Sequence, residues 1–168
     1  MNSNFFKTLF LLLLFFSSLQ AQVVTTIVGT GIAGYTGDGG PASAAQLNHP
    51  RCIKFDRSGN KYIADQNNHV VRKINTSGII TTVAGNGFKA GMPTGGYMGD
   101  GAPATDAELS RPSDLAFDTA GNLYISDYGN NVIRKVNTYG IISTFAGVGA
   151  GGYSGDGGPQ LPPCCLIR

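Results

Sequence analysis

Asp65, Asn68 and Arg72 fall within one run of eight residues, and Asp127, Asn130 and Arg134 repeat the same types at the same spacing. A carboxylate, an amide and a guanidinium this close together supply acceptors and donors in one place. Such a set can hold a polar ligand or an ion, and it can equally bind the backbone of a turn. Asp38, Asp100 and Asp156 are cation ligands by type, but each is the lone acid of a Gly-rich loop, without the acidic neighbours of a calcium loop. His49 and His69 stand where the second copy of the motif has Arg111 and Asn131, so no histidine pair recurs. Cys52 stands opposite Asp114, and Cys164 and Cys165 are adjacent, which gives neither a disulfide framework nor zinc-ligand spacing. No nucleophile and base stand at a recognisable spacing. The expectation is no catalytic residue, no metal and no cofactor.

The elements that position these residues come from a repeat. Residues 50–85 and 112–147 align without a gap, with 20 of 36 positions identical. A unit recurring at this length marks a solenoid or propeller, in which each unit leans on its neighbours. Within the first copy, four short runs rich in β-branched and aromatic residues (52–55, 61–64, 70–74 and 79–83) alternate with Gly/Asn/Asp turns. That pattern predicts a four-stranded antiparallel meander. Asp65 and Asp127 then end the second strand of each unit, Asn68 and Asn130 form the following turn, and Arg72 and Arg134 lie on the third strand. Each Arg can stack between units, pair with an acid such as the preceding Asp, or line a rim facing a ligand. A residue needed in every unit usually serves the unit, so the structural reading is preferred for all six. Tyr62 and Tyr124 alternate with the apolar positions of the second strand and are expected to pack.

Between units run linkers with the shared core Gly-Tyr-x-Gly-Asp-Gly, at 34–39, 96–101 and 152–157. Asp-Gly supplies a turn with positive φ at the Gly. Residues 41–47 and 103–109 then read as one short helical turn, with Pro at its first position. The second linker is longer by about six residues around Phe88–Gly95, an insertion that belongs on one rim. Val23–Gly29 (VVTTIVG) aligns with 79–85 and 141–147, so it reads as an orphan last strand able to complete a blade and cover open edges.

The first 21 residues differ in kind. A short segment with one Lys, an apolar run from Thr8 to Phe16 and a small or polar exit ending at Ala21 predict a cleaved signal peptide, too short for a spanning helix. The expected location is secreted or periplasmic, with no membrane span after cleavage. Loss of Lys7 leaves 11 Lys and Arg against 10 Asp and Glu. That balance lacks the basic surplus with which nucleic-acid binders neutralise phosphates, so no nucleic acid is expected as a partner. Asn75-Thr76-Ser77 matches a glycosylation sequon.

The motif Pro-x-x-Ile-x-Phe-Asp-x-x-Gly-Asn-x-Tyr-Ile-x-Asp-x-x-Asn-x-Val-x-Arg-Lys, from Pro50 to Lys73 and again from Pro112 to Lys135, resembles the NHL repeat. The Gly-Asp-Gly-Gly-Pro linkers resemble those of a secreted bacterial branch of that family, and the resemblance runs from Val23 to Pro159. It implies an all-β chain: a partial β-propeller of two four-stranded antiparallel NHL blades, at about 50–85 and 112–147, plus the orphan N-terminal strand. Propellers of this family are commonly six-bladed and mostly serve as binding platforms. Some relatives are enzymes, including an amidating lyase that holds metal with histidines lining its channel.

The expectation for residues 22–159 is therefore a propeller fragment acting as a binding or scaffold module for a protein or carbohydrate. The alternative is a fragment of a lyase-like or lactonase-like propeller enzyme whose catalytic residues lie in other blades. Residues 160–168 match neither earlier linker, and loss of one base before the Gln160 codon would restore the pattern of 41–50, so the tail reads as a frameshift product. Two blades alone expose edges and apolar faces, and self-association through them is expected.

Overall fold

The computed structural model describes residues 22–149 and 151–152. The expected signal peptide, Asp156 and the aberrant tail lie outside the described residues. Strands β1 (Pro50–Phe55), β2 (Lys61–Asp65), β3 (Val70–Ile74) and β4 (Ile80–Ala84) form one antiparallel sheet in that order. Strands β5 (Pro112–Phe117), β6 (Leu123–Asp127), β7 (Val132–Val136) and β8 (Ile142–Ala146) form a second in the same way. The architecture is all-β, two propeller blades side by side. Strand limits fall within one or two residues of those read from the β-branched runs.

The turns explain why the strands stop where they do. Asp56 Oδ1 accepts the N–H groups of Ser58 and Asn60, each at 2.9 Å, and Asp118 repeats this with Ala120 and Asn122. These are Asx-type turns, in which a short side chain stands in for a backbone carbonyl. Between β2 and β3 a single 3₁₀ turn ends at His69 in the left-handed region (φ 57°), and Asn131 takes the same conformation after β6 (φ 54°).

Both faces of the first blade's inner strands are buried, because one face meets the first linker and the other meets the second blade. Ile63, Ile74 and Ile80 pack with Ala42 and Ala45 of the first linker. Ala64, Val71 and Ala84 pack on the opposite side with Leu109, Leu115, Leu123 and Ile125. Tyr62 meets Phe117 across the seam at 4.8 Å between ring centroids, nearly edge-on. Lys54 bridges to Asp114 of β5 at 3.1 Å.

Each linker is folded onto the blade that follows it. Gly39 and Ile80 exchange backbone bonds with their neighbours across the β4 edge (Gly39 N–H to Ile80 O 2.8 Å, Ile80 N–H to Gly40 O 3.0 Å), and Gly101, Ala102 and Ile142 do the same. The outer strand edge is thereby covered over part of its length, which removes part of an aggregation template. Ala42–Ala44 forms the expected turn as one 3₁₀ turn, whereas 103–109 makes only an irregular turn held by Asp106 N–H to Pro103 O (2.9 Å).

One expectation needs correction. Val23–Gly29 does not pair as a strand among the described residues, and Val23, Val24 and Ile27 are exposed. A strand exists only through its ladder, and both sheets already hold their four strands. Only its end is docked: Gly29 N–H reaches Ala42 O at 3.0 Å, as Gly85 N–H reaches Ala104 O at 2.8 Å.

Candidate functional site

The six residues singled out by spacing are brought together in two latches, one per blade, each joining a linker to its sheet. Arg72 extends from β3, beside an irregularity in its pairing with β4 that re-aims the side chain. Its Nη2 donates to Asp38 Oδ1 at 2.6 Å and to Thr36 O at 3.0 Å, and Nη1 lies 3.6 Å from Asp65 Oδ2. The guanidinium lies over the Tyr35 ring, 5.2 Å from its centroid. Asp65 accepts Asn48 N–H at 2.7 Å and the Asn68 side-chain amide at 2.8 Å, while that amide also reaches Gly34 O at 2.7 Å. The second blade repeats every element. Arg134 donates to Asp100 at 2.6 Å and lies over Tyr97, Asp127 accepts Ser110 N–H at 2.7 Å, and Asn130 bridges Asp127 and Gly96 O, each at 2.8 Å.

Asp65, Arg72, Asp127 and Arg134 have no exposed surface. Burial raises the Asp65 carboxyl and pushes that of Asp127 up to about 6, against the bonds from Asn130, Ser110 and Arg134 that favour its charge. Asp38 and Asp100, the candidate cation ligands, are spent on the two Arg side chains and on the N–H groups of Thr82 and Thr144. Among the described residues no group of three or more His, Cys, Asp or Glu could hold a metal ion.

A different set of side chains surrounds open space. At one end of the seam, where β1 and β5 begin and the β2–β3 and β6–β7 turns lie, a cavity of about 440 Å³ opens between the blades. His49, Arg51 and Gln66 line it from the first blade, and Arg111, Ser113, Asp114 and Tyr128 from the second. In the repeat register His49 corresponds to Arg111, Arg51 to Ser113, Cys52 to Asp114 and Gln66 to Tyr128. Every lining position therefore carries a different residue in the other copy, whereas every latch side chain is repeated. The sequence pointed to the latches because they recur; the cavity was signalled only by the positions where the copies part.

The Arg111 guanidinium lies over the Tyr128 ring, 5.8 Å from its centroid, and its Nε is buried without a hydrogen-bond partner. His49 Nδ1 lies 3.1 Å from Gln66 Oε1, an acceptor, so Nδ1 is the donor of this pair. Both His49 (φ 58°) and Arg111 (φ 53°) hold left-handed backbone at the cavity mouth, a conformation costly for residues with a Cβ.

His69 ties the linker insertion to this end of the seam. Its buried ring donates from Nε2 to Met92 O at 3.1 Å and accepts Arg111 N–H on Nδ1 at 3.0 Å. Gly91 N–H bonds to Asn67 O at 2.6 Å, fixing the insertion to the same turn. Neither imidazole bonds a hydroxyl or thiol among the described residues.

The comparisons with known proteins agree with this architecture. A family model described as the Teneurin NHL domain matches residues 29–96 and 83–154. Teneurin-1 of Gallus gallus is 34% identical over 135 residues, which is 76% of this chain and 5% of that protein. Teneurin-1 of Homo sapiens is 37% identical over 115 residues, 67% of this chain and 4% of that protein. The chain thus spans about a twentieth of the length of these relatives. A structural genomics protein from Bacteroides thetaiotaomicron VPI-5482 superposes with a TM-score of 0.57 at 26% identity, covering 80% of this chain and 30% of that one.

Proposed function

The chain belongs to the NHL-repeat family represented by the Teneurin NHL domain, and from that premise we propose that it is a non-enzymatic binding module, exported to the cell exterior or periplasm, that holds a protein or carbohydrate at the seam between its blades. One observation carries the reading: the cavity of about 440 Å³ is lined entirely by positions that differ between the two copies. Blade scaffolding recurs because every blade needs it, and a side chain that serves a ligand has no such reason to recur. The two latches supply the complementary half of the argument. They consume the residues that look most like a site, and we assign Asp65, Asn68, Arg72, Asp127, Asn130 and Arg134 to the scaffold.

The location rests on the N-terminal pattern of one Lys, an apolar run and a small-residue exit, and the two blades are taken as part of a larger ring. The test is binding of the purified chain to a panel of immobilised polysaccharides and extracellular proteins, measured beside a variant carrying Arg111→Ser and Tyr128→Ala. A ligand that binds the parent and is lost in the variant, with the unfolding midpoint unchanged, is the expected result. Absence of any ligand, or a ligand indifferent to the variant, would sink the reading.

A further inference from the structure

The chemistry of the seam cavity narrows what it can hold. Each of its lining side chains carries a polar group, and none is aliphatic. A wholly apolar ligand such as a lipid tail would leave these polar groups without partners, which costs binding energy. The charge balance inside the cavity is positive. Arg51 and Arg111 both face it, while the one acid, Asp114, is already paired to Lys54 at 3.1 Å. The Tyr128 ring beneath the Arg111 guanidinium leaves that planar fork ordered, and its buried Nε has no partner of its own. A guanidinium so held matches a carboxylate, which it binds through two parallel bonds. Around it stand donors and acceptors suited to hydroxyls: Nε2 of His49, the Gln66 amide, the Ser113 hydroxyl and the Asp114 carboxylate.

We propose that the seam cavity binds a carboxylate-bearing sugar ring of an acidic saccharide, with Arg111 and Arg51 on the carboxylate and His49, Gln66, Ser113 and Asp114 on the hydroxyls. The proposal rests on the reading of the seam as the binding surface and adds the ligand's class. A volume of about 440 Å³ lies within the range of small-molecule sites. The nearly balanced charge of the chain, 12 Lys and Arg against 10 Asp and Glu, is the wrong dress for a polyphosphate chain but suits one carboxylate met locally.

Calorimetric titration of the full chain with trigalacturonate, and with the same trisaccharide fully methyl-esterified, tests it. Trigalacturonate is expected to bind at least about 10-fold more tightly than the ester, the loss of one charge-assisted contact. Arg111→Gln and, separately, Arg51→Gln are each expected to weaken it by a similar factor, and added salt should weaken it further. Arg51 is exposed, so its variant reports on binding even where Arg111→Gln disturbs the seam. Equal affinity for acid and ester would overturn carboxylate recognition while leaving seam binding intact. Binding of trigalacturonate indifferent to both variants would overturn the location. Displacement by equimolar inorganic phosphate would mark a bare oxyanion site and overturn the saccharide. No binding by trigalacturonate or by a glucuronate-containing trisaccharide at millimolar concentration would overturn the proposal outright, and the wider ligand panel then decides separately whether the chain is a binding module.

Discussion

Arg72 and Asp38 are 34 residues apart in sequence and 2.6 Å apart in space, and Arg134 and Asp100 repeat both the separation and the distance. In each pair the Arg is fully buried while the Asp side chain is 44% exposed, so the bond runs from the blade's interior to its covering linker. The repeated acid of the linker and the repeated base of the third strand are therefore two halves of one device. A linker that must cross from one blade to the next is held to the blade it precedes.

Removing the base should cost far more than removing the acid. Arg72→Met leaves Asp65 buried beside no cation, and breaking a buried pair from one side typically costs about 3–5 kcal/mol. Asp38→Ala removes a partner that water can partly replace, so the expected loss is about 1–2 kcal/mol. Urea unfolding of the two single variants and the double variant measures both values and their coupling. A cost for Arg72→Met below that of Asp38→Ala would contradict the latch.

His69 gives the fold a pH dependence of known sign. Burial lowers the imidazole's affinity for a proton, and the nearby Arg111 lowers it further, against the favourable bonds to Met92 and Lys89. The folded state then binds fewer protons than the unfolded one, so the stabilisation is fully present above the ordinary histidine value near 6.5 and is lost as pH falls below it. Protonation also places an N–H opposite Arg111 N–H. In His69→Asn, which restores the residue of the second copy and tolerates the left-handed backbone, this decline should vanish. The stability difference between parent and variant should shrink from pH 7.5 to pH 5.5, with faster amide exchange across residues 88–95 in the variant. A difference constant over that range would refute the assignment.

Much of the fold was legible because its causes are local. Alternating β-branched runs and Asx turns located eight strands to within one or two residues, and Asp65 and Asp127 were placed at strand ends, although the backbone N–H groups they accept belong to Asn48 and Ser110 of the linkers and not to the turn that follows. The Arg72–Asp65 pairing was among the alternatives that the spacing left open. What spacing could not supply was any partner at a distance: Asp38 for Arg72, Gly34 O for Asn68, or the seam that gathers Gln66 and Tyr128 around one cavity. Those contacts are set by how a linker folds back and how one blade packs on the next. The strand expected at Val23–Gly29 failed for the same reason, since sequence similarity to β4 and β8 carries no ladder partner with it.

The Gly-Asp-Gly linker separates two roles for glycine. Gly99 has φ 96°, and a Cβ there would meet Ala107 Cα at 2.6 Å; Gly101 has φ 83° with open space around it. Gly101→Ala should cost only the left-handed backbone penalty, about 1–2 kcal/mol. Gly99→Ala adds a clash with backbone that has to shift, and a further loss of about 1–3 kcal/mol is expected. Thermal unfolding of the two variants gives the order directly, and a Gly101 variant less stable than its Gly99 counterpart would show that the linker turn is not packed as described.

The outward face of the first blade makes the last prediction. Ile53 is 42% exposed and Phe55 59% exposed, whereas their counterparts on the second blade, Leu115 and Phe117, are packed into the seam. Phe117 meets Tyr62 there, and Tyr124 of the second blade stands where Tyr62 stands in the first. The two outer faces are thus the two halves of the seam already present, and a second copy can join head to tail by placing its Phe55 against Tyr124. Such heterologous contacts propagate until a ring closes. Light scattering on the purified chain should show association that rises with concentration, and Phe55→Arg should shift it towards monomer without lowering the unfolding midpoint, because that side chain is exposed within one chain. A parent that stays monomeric at 100-fold dilution and at its highest soluble concentration alike would remove the contact.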